Sequence, residues 1–270
     1  MAVKIILSDI DGTFLKHDKS VPKLHETALK SILAQGIKFA FVSARMPEAI
    51  YPITDGINLP HTPVISYSGA LVLTDDEKIL YDKKISLDDT KNILPVIENN
   101  WADIAVNYYT GRKWYVRQID IENKYVQYEI KVTQAATAPA DFNELISQNI
   151  LPNKILIMCE PPTCEEMESK LGTQFPNLNV VRSAPHLLEI MDKTVSKATG
   201  IEVLLKNYGF TADEAVAFGD NYNDIEMLEY IPQSVAMGNA PQKILKIASN
   251  VTDTNENGGI YTYLKKINLL

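Results

Sequence analysis

The stretch Val3-Lys4-Ile5-Ile6-Leu7-Ser8-Asp9-Ile10-Asp11-Gly12-Thr13 restricts the fold more than any other. Its apolar run reads as a buried strand, and it ends abruptly in two carboxylates one residue apart, followed by Gly. Strand alternation sends Asp9 and Asp11 to one side and Ile10 to the other. Two like charges that close repel, and neither is easily left unpaired where a strand enters a core. A divalent cation resolves the conflict, because hard oxygen ligands are what Mg²⁺ prefers.

The chain that follows alternates helix and strand patterns. Pro22 stands at a plausible first helical position, and Leu24, Ala28, Leu29, Ile32 and Leu33 recur at helical spacing up to Gly36. Ile37–Val42 reads as a second strand, ending at Ser43-Ala44-Arg45. Pro47–Ile57 reads as a short helix and Pro63–Tyr67 as a third strand. This rhythm predicts a parallel, doubly wound α/β sheet. Leu71–Leu73 and Ile79–Tyr81 flank a charged turn and predict a β-hairpin. From 83 to 188 the texture changes. Helical patches (Asp88–Asn99, Pro161–Leu171) alternate with runs such as Ile104–Tyr109 and Asn153–Met158, and 135–140 reads as a loop. An α+β domain inserted into the first is expected, leaving 1–82 and 189–270 as the α/β core. After Asp192 the first rhythm returns: a helix from Ser196 to Tyr208, a strand from Ala215 to Gly219, a helix from Tyr222 to Tyr230. A strand from Ser234 to Gly238 and helices from Pro241 and Gly259 complete it.

Composition narrows the function classes. The 270 residues carry a net charge of −8, which argues against non-specific nucleic-acid binding resting on Lys and Arg. No apolar run approaches the roughly 18–20 residues of a membrane span, and Asp9 comes too early for a secretory apolar region. Cys159 and Cys164, five apart, match neither a redox pair nor a zinc knuckle, so reduced thiols of a cytoplasmic protein are expected. The four histidines have no zinc spacing, and no phosphate-binding P-loop, dinucleotide fingerprint or Gly-x-Ser-x-Gly elbow is present.

Ligands of open α/β sheets bind beyond the carboxyl ends of the strands. Three polar clusters lie there: Asp9/Asp11, Ser43/Arg45, and Asp220 with Asn221, Asn223 and Asp224. Segments nearly the whole chain apart are thereby expected at one sheet edge. Asp9-Ile10-Asp11-Gly12-Thr13 resembles the first motif of the haloacid dehalogenase superfamily, and Gly219–Asp224 resembles the last motif of its Cof-type members. Ser43 and Lys197 match the middle two, in the family's order, and the insert falls where the family's larger cap type is placed.

That resemblance implies a Rossmann-like core with a cap, and a Mg²⁺-dependent phosphatase acting on small phosphorylated metabolites, sugar phosphates first, as a monomer or homodimer. It implies Asp9 as nucleophile and Asp11 as acid then base, with a protonated Asp11 carboxyl when substrate binds. Mg²⁺ would be held by Asp9, the backbone carbonyl of Asp11 and Asp220, with Asp224 supporting from outside. Gly12, Ser43, Lys197 and Asn223 would bind the phosphoryl group. Taken singly, Ser43 reads as a helix cap, Lys197 as a solvated helix residue and Asp224 as a dipole partner; their joint order carries the functional reading. Ala44 and Ala198 stand where family members commonly have Gly, which leaves a substrate contact for Arg45 open. A phosphotransferase or phosphomutase, or a non-catalytic phospho-ligand sensor, are the competing readings. On the insert, Tyr108, Tyr109, Arg112, Lys113, Tyr115 and Arg182 are candidates for contacting the leaving group.

Overall fold

The computed structural model describes residues 2–270. Their contacts divide into two units. One holds 2–45, Ile50–Tyr81 and Ser196–Leu270, the other Met46–Ala49 and Asp82–Val195.

The chain begins β1 (Ile5–Ser8), α1 (Lys23–Ala34), β2 (Lys38–Val42), α2 (Tyr51–Asp55), β3 (Val64–Ser66), β4 (Leu71–Leu73), β5 (Ile79–Asp82). It continues α3 (Leu87–Asn100), β6 (Ala105–Thr110), β7 (Lys113–Val116), α4 (Lys124–Thr133), β8 (Ala138–Pro139), α5 (Phe142–Ser147), β9 (Lys154–Met158), α6 (Pro161–Gln174), β10 (Leu178–Ala184), β11 (Leu187–Asp192). The return to the first unit is α7 (Lys197–Tyr208), β12 (Ala215–Gly219), α8 (Ile225–Tyr230), β13 (Gln233–Ala236), α9 (Gln242–Ile247), β14 (Asn250–Val251), α10 (Gly259–Lys266).

In the first unit the strand order is β14-β13-β12-β1-β2-β3-β4-β5. β1 pairs in parallel with β2 on one side and β12 on the other. All four of its residues are buried, as the unbroken apolar run requires when helices cover both faces. The strand order turns outward in both directions from the β1–β12 boundary, so a crevice opens beyond Ser8 and Gly219, the usual ligand position in such sheets. The doubly wound sheet is as expected. The antiparallel β3–β4 pair and the adjacent β5 extend one edge, and β14, two residues long, extends the other. That last strand was too short to announce itself in sequence. Phe14, just past the first motif, meets Phe41 edge-on at 4.9 Å between centroids, and Phe39 meets Phe41 likewise. Each contact is worth about 0.5–1.5 kcal/mol and pins the turn after β1 to the core.

In the second unit the order is β10-β11-β9-β6-β7-β8, antiparallel except for β7–β8. Ile104, Val106, Tyr108, Ile155, Ile157, Leu188 and Ile190 form one apolar core with residues of α3, α5 and α6. Cross-strand register puts Asn107, Tyr109, Lys154, Leu156 and Glu189 on the other face of the sheet. Part of the 135–140 stretch, read as a loop, is β8, whose two residues pair with Tyr115 and Val116. Cys159 and Cys164 are disulfide-bonded rather than reduced. The end of β9 and the first turn of α6 hold their Cα atoms 6.0 Å apart, within bridging range. No helix among the described residues is long and apolar enough to cross a membrane.

Candidate active site

The crevice beyond β1 and β12 gathers most of the residues singled out in the sequence. Asp9 directly follows β1, and its amide still donates to the Phe218 carbonyl on β12 at 3.0 Å. Ile10 then closes a turn, its carbonyl accepting from the amides of Phe14 and Leu15. This turn sends the two carboxylates to different partners, where simple strand alternation would have kept them together.

Asp9 is buried and its Oδ1 accepts from Lys197 Nζ at 2.6 Å. Lys197 opens α7, whose start is fixed by a reciprocal capping box between Ser196 and Thr199. Gly69 lets that helix start close: at φ +108° it lies against Ser196 so tightly that a Cβ would overlap the Ser196 carbonyl. Lys197 Nζ also donates to Asp224 Oδ1 at 2.6 Å. The other oxygen of Asp224 accepts from the amides of Asp220 and Asn221, both at 2.9 Å. Asp224 is thus fully engaged as a brace, despite its position in an acidic cluster with Asp9 and Asp220.

Asp220 takes the Thr13 hydroxyl on Oδ1 at 2.7 Å. Gly12, at φ +87°, faces it directly, and a Cβ there would overlap the Asp220 carboxylate. Ser43, at the end of β2, is buried and its Oγ accepts from the Arg45 amide at 3.2 Å. Asn223 is exposed, and its side chain has no hydrogen bond among the described residues.

Electrostatics follow from that geometry. Burial pushes the Asp9 carboxyl well above the usual range; Lys197 opposes this, while Asp224 and Asp220 add to it. Burial, with Asp224 beside it, raises Asp220 to about 6 against the hydrogen bond from Thr13. Burial works against the Lys197 ammonium too, but the Asp224 and Asp9 carboxylates outweigh it and hold the group charged. One ammonium therefore faces three carboxylates whose oxygens lie within 4.8 Å of one another. The donor set is deficient in positive charge and made of hard oxygens, so it fits a small divalent cation.

Asp11 differs from expectation. Arg45 grips its carboxylate at both oxygens, Nε to Oδ2 at 2.8 Å and Nη2 to Oδ1 at 2.6 Å, and Lys19 Nζ lies 2.8 Å from Oδ1. Burial raises the carboxyl, but Arg45 and then Lys19 overcome it and hold it at about 2. The environment favours the ionised form, not the neutral one. The part of Lys19 and that of Asn239, which contacts Gly12 and Asp220, were not visible in the motifs. Asn239 follows a strand end, and that position is the only sequence signal it carries.

Of the insert residues, Tyr108 lies in the apolar core and donates to the Ile150 carbonyl at 2.7 Å, and Tyr115 packs against that core. Arg182 pairs with Glu168 of α6 at 2.7 Å. Tyr109 is on the opposite sheet face, stacked with Trp114. Arg112 pairs with Glu48 of the Met46–Ala49 segment that clusters with this unit. Lys113 is exposed on β7.

Residues 6–264 match the model of the haloacid dehalogenase-like hydrolase family. A protein of Haemophilus influenzae named as a candidate phosphatase is 35% identical over 266 residues, covering 98% of each chain. A haloacid dehalogenase-like hydrolase from Bacteroides thetaiotaomicron superposes with a TM-score of 0.88 at 27% identity, over 98% of this chain and 99% of that one. A subclass IIB sugar phosphatase of the same superfamily shares the fold, with a TM-score of 0.84 at 23% identity over 99% and 100% of the two chains.

Proposed function

The chain belongs to the haloacid dehalogenase-like hydrolases, and from that premise we propose that it is a Mg²⁺-dependent phosphomonoesterase working through phosphorylation of Asp9. The observation that carries this reading is the charge imbalance at Asp9, Asp220 and Asp224 around the single ammonium of Lys197. A site for mere anion binding would carry excess positive charge.

In this reading Asp9 attacks phosphorus in line, the P–O bond to the leaving alcohol breaks, and an acyl phosphate forms on Asp9. Asp9, Asp220 and the backbone carbonyl of Asp11 would hold Mg²⁺, which supplies charge neutralisation between the anionic nucleophile and the anionic phosphate. Lys197 orients Asp9 and offsets phosphoryl charge. Ser43 and the backbone around Gly12 donate to phosphoryl oxygens, with Asn223 at the outer edge. Asp224 keeps the Lys197 ammonium and the turn at Asp220 in place. Water then attacks phosphorus, Asp11 accepts its proton, and Asp9 is regenerated.

The ionised Asp11 matches this second half-reaction directly. For the first, Asp11 must carry a proton to the leaving oxygen, which requires Arg45 and Lys19 to turn from Asp11 toward the substrate. Small phosphorylated metabolites are the proposed substrate class, sugar phosphates foremost, by likeness to the subclass IIB fold relative. Phosphate release from a panel of monoesters, measured with Mg²⁺ and with EDTA on the parent and on Asp9→Asn, tests the proposal. Turnover that needs Mg²⁺ and vanishes in Asp9→Asn supports it. Turnover indifferent to both, or label passed to a sugar acceptor instead of water, contradicts it.

A further inference from the structure

Resting on that reading, we infer that Asn239 is a positioning residue of the cation site: its amide holds the Asp220 carboxylate against the Gly12 carbonyl, and this fixes the oxygen donors that Mg²⁺ would take. Asn239 lies just past β13, beside the carboxyl end of β12. Its Nδ2 donates to the Gly12 carbonyl at 2.9 Å and lies 3.4 Å from Asp220 Oδ2. One amide nitrogen carries two protons, so it can serve both acceptors at once.

The orientation of that amide is itself fixed. Asn239 Oδ1 accepts from the Asn255 backbone N–H at 3.0 Å. Asn255 is buried, and its own Nδ2 donates to the Leu15 carbonyl at 2.8 Å. The loop before α10 is thereby tied to the turn after β1, with Asn239 between them and Asp220. With Thr13 on Oδ1 and Asn239 on Oδ2, each Asp220 oxygen has one protein donor and one further acceptor site. Both oxygens are oriented without being used up.

Asn239 is exposed, so truncating it costs the fold little while freeing Asp220 to rotate. Outer residues that orient a metal ligand typically change metal affinity about ten- to a hundredfold when removed. The test is calorimetric titration of Mg²⁺ into the parent, Asn239→Ala and Asn239→Leu, with the thermal unfolding of each followed in EDTA. The expected result is Mg²⁺ affinity weaker by about ten- to a hundredfold in both variants, with unfolding in EDTA shifted by no more than a few degrees. Parent-like affinity in either folded variant overturns the inference. So does an affinity loss matched by a large drop of unfolding temperature in EDTA, the pattern expected of Asn255→Ala through release of Leu15. A parent that takes up no Mg²⁺ fails the functional reading and the inference with it.

Discussion

Each unit of the protein buries charge, and the two do so differently. In the second unit Lys154 and Glu189 are both buried on one sheet face, 3.7 Å apart, one cation to one anion. Beside them Asn107 is satisfied by the Trp114 indole at 3.0 Å and by the Leu156 carbonyl. In the first unit one buried ammonium serves Asp9 and Asp224 at 2.6 Å each, with Asp220 alongside. Burial of charge alone does not mark a reactive site, since a balanced pair is self-contained. Imbalance is different, because a bound cation would relieve it.

Lys197→Met sharpens that contrast most. It strips the buried carboxylates of Asp9 and Asp224 of the ammonium they share and costs about 3–5 kcal/mol of stability, read by denaturant unfolding in EDTA; phosphatase activity is lost with it. An unchanged unfolding free energy would mean that the carboxylates are already protonated and the imbalance has no consequence.

Arg45→Ala comes next. Removing the largest cationic influence on Asp11 releases a carboxyl held at about 2, so the acid limb of phosphoenzyme hydrolysis, the half-reaction in which Asp11 acts as base, moves to higher pH. The rate at neutral pH falls about tenfold to a hundredfold, the scale of a mispositioned group. A limb that stays in place assigns it to another residue. The same ion pair stabilises the fold above the ordinary carboxylate pKa, and that contribution is lost as pH falls toward about 2.

Asp220 has the opposite sign. Its carboxyl is raised to about 6, so its native state binds the proton more tightly than the unfolded chain does. Its contribution to stability is therefore greatest below the ordinary value of about 3.9 and is lost as pH rises through about 6. In EDTA the melting temperature of the parent, taken relative to Asp220→Asn, is expected to drop by about a few degrees from about pH 5 to about pH 7, the comparison cancelling buried His25, whose lowered value acts in the opposite direction. Saturating Mg²⁺ should reverse the relative drop at the upper end. A flat difference in EDTA, or one indifferent to Mg²⁺, breaks the link between imbalance and cation.

The smallest effect is expected in the second unit. Replacing both members of its balanced pair, Lys154→Met with Glu189→Leu, should cost no stability in thermal or denaturant unfolding, as is usual when a whole buried pair gives way to apolar residues of similar volume. A large loss would show that this pair, too, carries a role beyond packing.

Much of the first unit was legible because its signals are local. Apolar runs ending at Asp9, Ser43 and Asp220 marked both the strands and the edge where their polar ends collect. The Asp11 environment was not legible, because it depends on Arg45 and Lys19 closing over one carboxylate, and nothing in the spacing of three charged residues reports their rotamers. Asn239 was hidden for a related reason: its contacts with Gly12 and Asp220 arise only from strand order. In the second unit, Tyr108 read as a binding aromatic but lies in the core, since period-two alternation does not tell which face the helices cover. Cys159 and Cys164 were misread because a five-residue spacing becomes close only when a strand end turns directly into a helix.

Phosphorylation of Asp9 is tested most directly by acid quenching of the enzyme during turnover of a phosphate monoester with Mg²⁺, followed by peptide mass analysis. A phosphoryl group is expected on the peptide carrying Asp9, absent in EDTA and absent in Asp9→Asn. Turnover that proceeds with that peptide unmodified at every quench time would contradict it.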